Sequence, residues 1–218
     1  MRKKIVFLTG TRADFGKIKS LIQVLENHSK FEPYIFATGM HLLDKYGKTV
    51  IEIQKCNFTN IHQFSNHTSE NTMDLTLAKT IEGFSSYVST LKPDLIVIHG
   101  DRVEALAGAI VGSLNNILVA HIEGGEVSGT IDELIRHSVS KMSHLHFVSN
   151  ESAKNRILQL GELDSSVAVI GSPDVDIMFS DALPSLEEVK NYYEIPFQEF
   201  ALVMLLEIEA LYFIHKKE

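Results

Sequence analysis

Two histidine-led signatures hold the acidic and basic residues best suited to chemistry. One is His99-Gly100-Asp101-Arg102; the other is His121-Ile122-Glu123-Gly124-Gly125-Glu126. Each follows a short apolar run, residues 95–98 and 117–120, and between them residues 104–114 are alanine-rich with helical spacing. The pattern reads as strand, helix, strand, with a carboxylate just past the end of each strand. In an open parallel sheet, ligands bind outside the carboxyl ends of the strands. A further turn at residues 10–16, GTRADFG, follows the apolar run 4–9 and adds Arg12, with Lys17 next to it. Asp132 and Arg136 lie one helical turn apart, on the helix expected after the second signature. Arg12 and Arg102 can fork onto phosphate oxygens, helped by main-chain N–H groups at helix starts. Carboxylates crowded into one cleft split their pKa values and so supply an acid and a base. The expected chemistry is anion binding coupled to proton movement.

Each member of this group also has an ordinary role. Gly10 and Gly100 can be simple turn residues. Asp101 and Asp132 can cap helices. Arg136 can be a solvated helix residue, and Gly124-Gly125 a flexible loop. His99 and His121 are expected to pack or hydrogen-bond at strand ends. The group argues more strongly than its members, because separate turns all bring charge to one edge. His144 and His146 are two residues apart on a strand with no third ligand in sight, so no metal is expected. The turn at 10–16 fits neither the dinucleotide fingerprint nor the phosphate loop ending in Gly-Lys-Ser/Thr. NAD and ATP are therefore disfavoured, and no cofactor is expected.

The elements that would position these residues follow from periodicity. Strands are expected at 4–9, 33–38, 93–98, 117–120, 144–149 and 167–170, with 57–65 ambiguous. Helices are expected after the first turn, with Ile18, Leu21, Ile22 and Leu25 on one face, and at 72–91, with Leu75, Ile81, Phe84 and Val88 inward. Others are expected at 132–142, with Leu134 and Ile135 toward the core, at 152–160 and from Asp174. Regular strand–helix alternation predicts an α/β fold with a doubly wound parallel sheet. Residues 1–180 form the predicted domain. Residues 181–218 read as a linker with a capped helix, a strand at 200–206 and a tail.

Composition narrows the partners. The 218 residues are 44% hydrophobic and carry a formal charge of −8, so nucleic acid is not an expected partner. The single Cys56 cannot form an internal disulfide. The apolar run at 5–8 is far too short for a signal peptide or a membrane span, so a cytoplasmic protein is expected.

Three stretches carry a resemblance. GTRADFGK (10–17), HGDR (99–102) and above all HIEGGEVSGTIDELIRHSVSKMSHLHFVSNE (121–151) resemble the hydrolysing UDP-N-acetylglucosamine 2-epimerases, in the branch feeding sialic- and legionaminic-acid synthesis. The likeness covers about residues 3–204. It implies a Rossmann-like domain, the first of two in a GT-B arrangement with the active site between them. It implies conversion of UDP-N-acetylglucosamine and water to UDP and N-acetylmannosamine, by elimination of UDP and addition of water, with no metal or nicotinamide. UDP-N,N′-diacetylbacillosamine is the alternative substrate. By motif, Asp101, Glu123 and Asp132 match the acidic catalytic positions. Arg12, Gly16, Lys17, Arg102 and Arg136 match positions at the diphosphate or supporting the site, with Gly16 in the phosphate-side turn. Full-length family members form homo-oligomers. Where the family places a His-Pro pair after the strand at 200–204, this sequence has Leu205-Leu206-Glu207. From this departure, the second domain is expected to be essentially missing and activity to be low. A non-catalytic binding module is the reading from another class.

Overall fold

The structure, a computed structural model, describes residues 2–67, 72–179 and 183–201. Seven parallel strands form one sheet in the order β3-β2-β1-β4-β5-β6-β7. In chain order these are β1 (Lys3–Thr9), β2 (Phe31–Ala37), β3 (Ile61–Gln63), β4 (Leu95–His99), β5 (Leu118–Ile122), β6 (Leu145–Val148) and β7 (Val167–Val169). The connecting helices are α1 (Arg12–Glu26), α2 (Val50–Lys55), α3 (Met73–Leu91), α4 (Val103–Leu114), α5 (Ile131–Lys141), α6 (Glu151–Gln159), α7 (Asp174–Met178) and α8 (Leu186–Tyr192). The ambiguous third strand thus exists but is short. This is the expected Rossmann-like fold, with the strand order reversing between β1 and β4.

Period-two alternation sorts the strand residues onto two faces. Val6, Leu8, Ile96, Ile98 and Val119 pack against α3, α4 and α5. Ile5, Phe7, Ile35, Val97 and Ile122 pack against α1 and α2. Ile18 and Ile22 of α1 are fully buried there, each worth roughly 1.5–3 kcal/mol. Helix α4 is apolar on nearly every side because it is wedged between the sheet, α3 and α5, which accounts for its alanine content.

Two core assignments are corrected. Leu134 is 64% exposed, and Ile135 and Val139 bury the inner face of α5 instead. Leu134 precedes Ile135 by one residue, a rotation of about 100° on a helix, so the two cannot share a core-facing stripe this narrow. Leu75, in the first turn of α3, is 37% exposed, and burial begins farther along the helix, at Thr80 and Phe84. The capped linker helix forms as expected: Ser185 and Glu188 make a reciprocal capping box at the start of α8. Of the strand expected at 200–206, Phe200 and Ala201 are irregular, and the remainder lies outside the described residues. Among the described residues, no helix is long and apolar enough to cross a membrane.

Candidate functional site

The strand order places the turns after β1, β4 and β5 side by side at the carboxyl edge, beside the point where the order reverses. Loops leave the sheet there in opposite directions and open a crevice.

The turn after β1 is fixed by a carboxylate. Thr11 caps α1 and Asp14 completes a capping box. Asp14 is buried and accepts from Gly10 N at 2.9 Å, Thr11 N at 2.9 Å and Thr9 Oγ1 at 2.7 Å. His41 Nε2 lies 2.9 Å from Thr9 Oγ1. Burial pushes the His41 pKa down, against the pull of Asp14. Capping starts the helix at Arg12, which is exposed. Gly16 is therefore inside α1 and not in the turn, which corrects the sequence reading. A Cβ there would meet nothing within 4 Å. Gly10 must be small: a Cβ would lie 2.9 Å from the Glu104 carboxyl carbon.

The turn after β4 carries Asp101 and Arg102. Asp101 is ion-paired to Arg136 of α5, whose side chain is almost wholly buried. Arg136 Nη1 also donates to Glu126 O at 2.9 Å. Arg102 Nε donates to the buried Glu104 at 3.2 Å. Asp101, Arg102 and Glu104 line a cavity of about 420 Å³ together with Asp132, Tyr46 and His67. Asp132 is exposed at its rim.

The turn after β5 is the most tightly held. Glu123 is in the left-handed region, φ +59°, which costs a residue with a side chain roughly 1–2 kcal/mol. Its Oε2 accepts from Lys17 Nζ at 2.7 Å and lies 2.8 Å from His99 Nε2; its Oε1 accepts from Ser172 Oγ at 2.6 Å. Burial would raise its pKa, but the bonds from His99, Lys17 and Ser172 outweigh it and hold the carboxyl at about 2. Lys17 shows the mirror image: burial lowers its pKa, and Glu123 and Asp174 more than restore it, to a net rise. Gly124-Gly125 is no flexible loop. Gly125 has φ +80°, and a Cβ on it would lie 2.4 Å from Ala153 O. Arg156 Nη1 donates to Gly125 O at 2.8 Å. Beneath the turn, His121 Nε2 donates to Gly100 O at 2.8 Å and its Nδ1 lies 3.0 Å from Ser140 Oγ, and burial drives its pKa down to about 3.

The residues singled out by sequence therefore form two groups. Asp101, Arg102, Asp132 and Arg136 gather at the cavity, and Glu123 and Lys17 pair beside it. Arg12 joins neither group by a hydrogen bond or ion pair among the described residues. Among the described residues, no group of three or more His, Cys, Asp or Glu could hold a metal.

This geometry belongs to a chain whose residues 23–206 match the family UDP-N-acetylglucosamine 2-epimerase. The chain is a member of the UDP-N-acetylglucosamine 2-epimerase family. It is 49% identical over 202 residues to a Neisseria meningitidis protein named UDP-N-acetylglucosamine 2-epimerase, covering 93% of this chain and 54% of that protein. It is 39% identical over 180 residues to the Legionella pneumophila UDP-N,N′-diacetylbacillosamine 2-epimerase (hydrolyzing), covering 81% and 48%. The Methanocaldococcus jannaschii UDP-GlcNAc 2-epimerase, solved in complex with UDP-GlcNAc and UDP, superposes with a TM-score of 0.75 at 26% identity, covering 88% of this chain and 53% of that one. The epimerase-family chain thus spans about half the length of the curated relatives it matches.

Sequence reasoning missed four participants in this epimerase-family site. His99 was expected to pack or hydrogen-bond, but its partner, Glu123, was not foreseen. Asp14 was legible as the last residue of a Thr-x-x-Asp capping pattern. Ser172 gave no local signal, because its partner Glu123 lies 49 residues away; Glu104 sits two residues from its partner Arg102, but nothing in the alanine-rich segment marked it as buried.

Proposed function

We propose that the chain carries the acid–base residues of a hydrolysing UDP-N-acetylglucosamine 2-epimerase. The reaction would eliminate UDP to a 2-acetamidoglucal and then add water with inversion at C2. The observation that supports this best is the shared cavity of Asp101, Arg102 and Asp132 at the strand-order reversal, in a chain of this family. Elimination needs a base at C2 and an acid for the departing UDP oxygen. Asp101, held by its ion pair to Arg136, is assigned as one of these two groups. Asp132, at the rim, can exchange protons with substrate or water. Glu123, held at about 2, is a fixed negative charge at neutral pH and not the proton donor. Arg12, Lys17 and Arg102, with Gly16 in α1 where no side chain intervenes, are assigned to the diphosphate, and Arg136 to support of Asp101.

Residues 1–180 are assigned as the Rossmann-like unit and 181–218 as the segment leading away from it. The absence of any buried residue in α8 supports that division. Among the described residues the cavity is lined by this unit alone, and rate depends on closing a site over substrate. A polypeptide of these 218 residues is therefore expected to turn over slowly or not at all by itself. A second substrate reading, UDP-N,N′-diacetylbacillosamine, is favoured by the Legionella pneumophila relative. Incubation with each nucleotide sugar, reading UDP release and the sugar formed, tests both. Binding of UDP without any turnover, even after a longer relative's second half is added, would leave a binding module instead.

A further inference from the structure

The chain leaves the sheet through the turn between β7 and α7, and that turn reaches back across the edge. Ser172 Oγ donates to Glu123 Oε1 at 2.6 Å. Asp174 Oδ2 lies 2.9 Å from Lys17 Nζ. The same ammonium reaches Glu123 Oε2 at 2.7 Å, where His99 Nε2 also sits at 2.8 Å. One carboxylate thereby ties together α1, the end of β4, the end of β5 and the exit turn. The exit turn is the least embedded of these. The Asp174 side chain is 44% exposed and no residue of α7 is buried. Gly171, with φ +80°, lets the chain reverse after β7 and aim Ser172 inward.

We propose that Ser172 and Asp174 are positioning residues that latch the exit segment onto the Glu123–Lys17 pair, so that the orientation and charge of Glu123 depend on how that segment is seated. The proposal rests on the reading of Glu123 as a carboxylate of the reaction. The division of labour follows from the contacts. Lys17 and His99 share Oε2, whereas among the described residues Ser172 alone occupies Oε1. Lifting the exit turn frees that oxygen for a proton, a water or a substrate hydroxyl. Asp174 acts one step away, by sharing the Lys17 charge with Glu123. Loss of Ser172 thus weakens the hold on the ionised carboxyl, and loss of Asp174 concentrates Lys17 on it. The two variants have opposite signs at the same group.

The test follows the Glu123 side-chain carboxyl carbon by NMR as pH is lowered, in the 218-residue chain labelled at glutamate. Four forms are compared: the parent, Ser172→Ala, Ser172→Thr and Asp174→Asn. A hydrogen bond to a charged group is worth roughly one pH unit or more. Ser172→Ala is expected to raise the Glu123 titration by about one pH unit, Ser172→Thr to restore it, and Asp174→Asn not to raise it. A Ser172→Ala variant with a lower melting temperature and an unmoved Glu123 titration overturns the latch, because a merely structural serine behaves that way. Activity separates this from the epimerase reading. Where UDP-N-acetylglucosamine is turned over, the acid limb of UDP release should move with Glu123. A shifted Glu123 with no turnover, even after a longer relative's second half is added, keeps the latch and removes the epimerase reading; turnover with an unshifted Glu123 does the reverse.

Discussion

Glu123 and Asp132 stand at the same edge of the sheet in opposite surroundings. Glu123 has every oxygen committed, to Lys17, His99 and Ser172, on a backbone forced into the left-handed region. Asp132 is exposed at the rim of the cavity, and its one side-chain partner among the described residues is the neighbouring Thr130. A group held by so many donors is set in charge and direction, and it can shape a field without reorganising. A group with one weak partner keeps its oxygens open to solvent or to a bound ligand. The contrast teaches that acidic residues close together in sequence can divide into one held by its neighbours and one left open to solvent.

That contrast can be broken from its rigid side first. Glu123→Gln should cost about 3 kcal/mol of stability, since it leaves Lys17 and His99 facing a neutral group at a mostly buried site; urea unfolding measures this, and a loss under about 1 kcal/mol would show that the cluster is not held as described. Gly125→Ala is expected to lose about 2–3 kcal/mol, because the left-handed backbone and the contact with Ala153 O both resist a methyl group. Acid should act in the same direction. His121 has a folded pKa of about 3 against about 6.5 unfolded. Between those values the unfolded chain binds the extra proton, so stability is complete above about pH 6.5 and falls as pH drops toward 3. From pH 7 to pH 5 this one group should remove about 2 kcal/mol, visible as a lower urea midpoint; a flat profile would contradict the burial of His121. The smallest effect belongs to the open side. Asp132→Asn should change stability by no more than about 0.5 kcal/mol, while under the epimerase reading UDP release falls at least about 100-fold. Equal losses of stability in Asp132→Asn and Glu123→Gln would erase the distinction between them.

The alternation of strands and helices made the sheet legible, since period-two and helical spacing report burial directly. The edge residues were legible for the same reason: a parallel sheet delivers every β–α turn to one side. What stayed hidden depends on contacts distant in sequence. Ser172 meets Glu123 across 49 residues, and His99 meets it across 24. Neither separation leaves a local pattern. Gly16 was misplaced because the glycines bracketing GTRADFG suggested one long turn, whereas the capping box of Thr11 and Asp14 already starts the helix at Arg12. Leu134 was misplaced because α5 buries a narrower stripe than its apolar content suggests.

Both margins of the sheet are built from strands of only three residues, β3 and β7. Each margin therefore offers another chain very few unpaired backbone groups, the usual template for strand addition and fibrils. Apolar side chains are plentiful elsewhere, notably Phe179, Tyr192 and Phe197, all well exposed near the end of the described chain. Copies of this protein that meet should accordingly adhere through side chains, in clusters that dilution disperses, and not through a growing β-sheet.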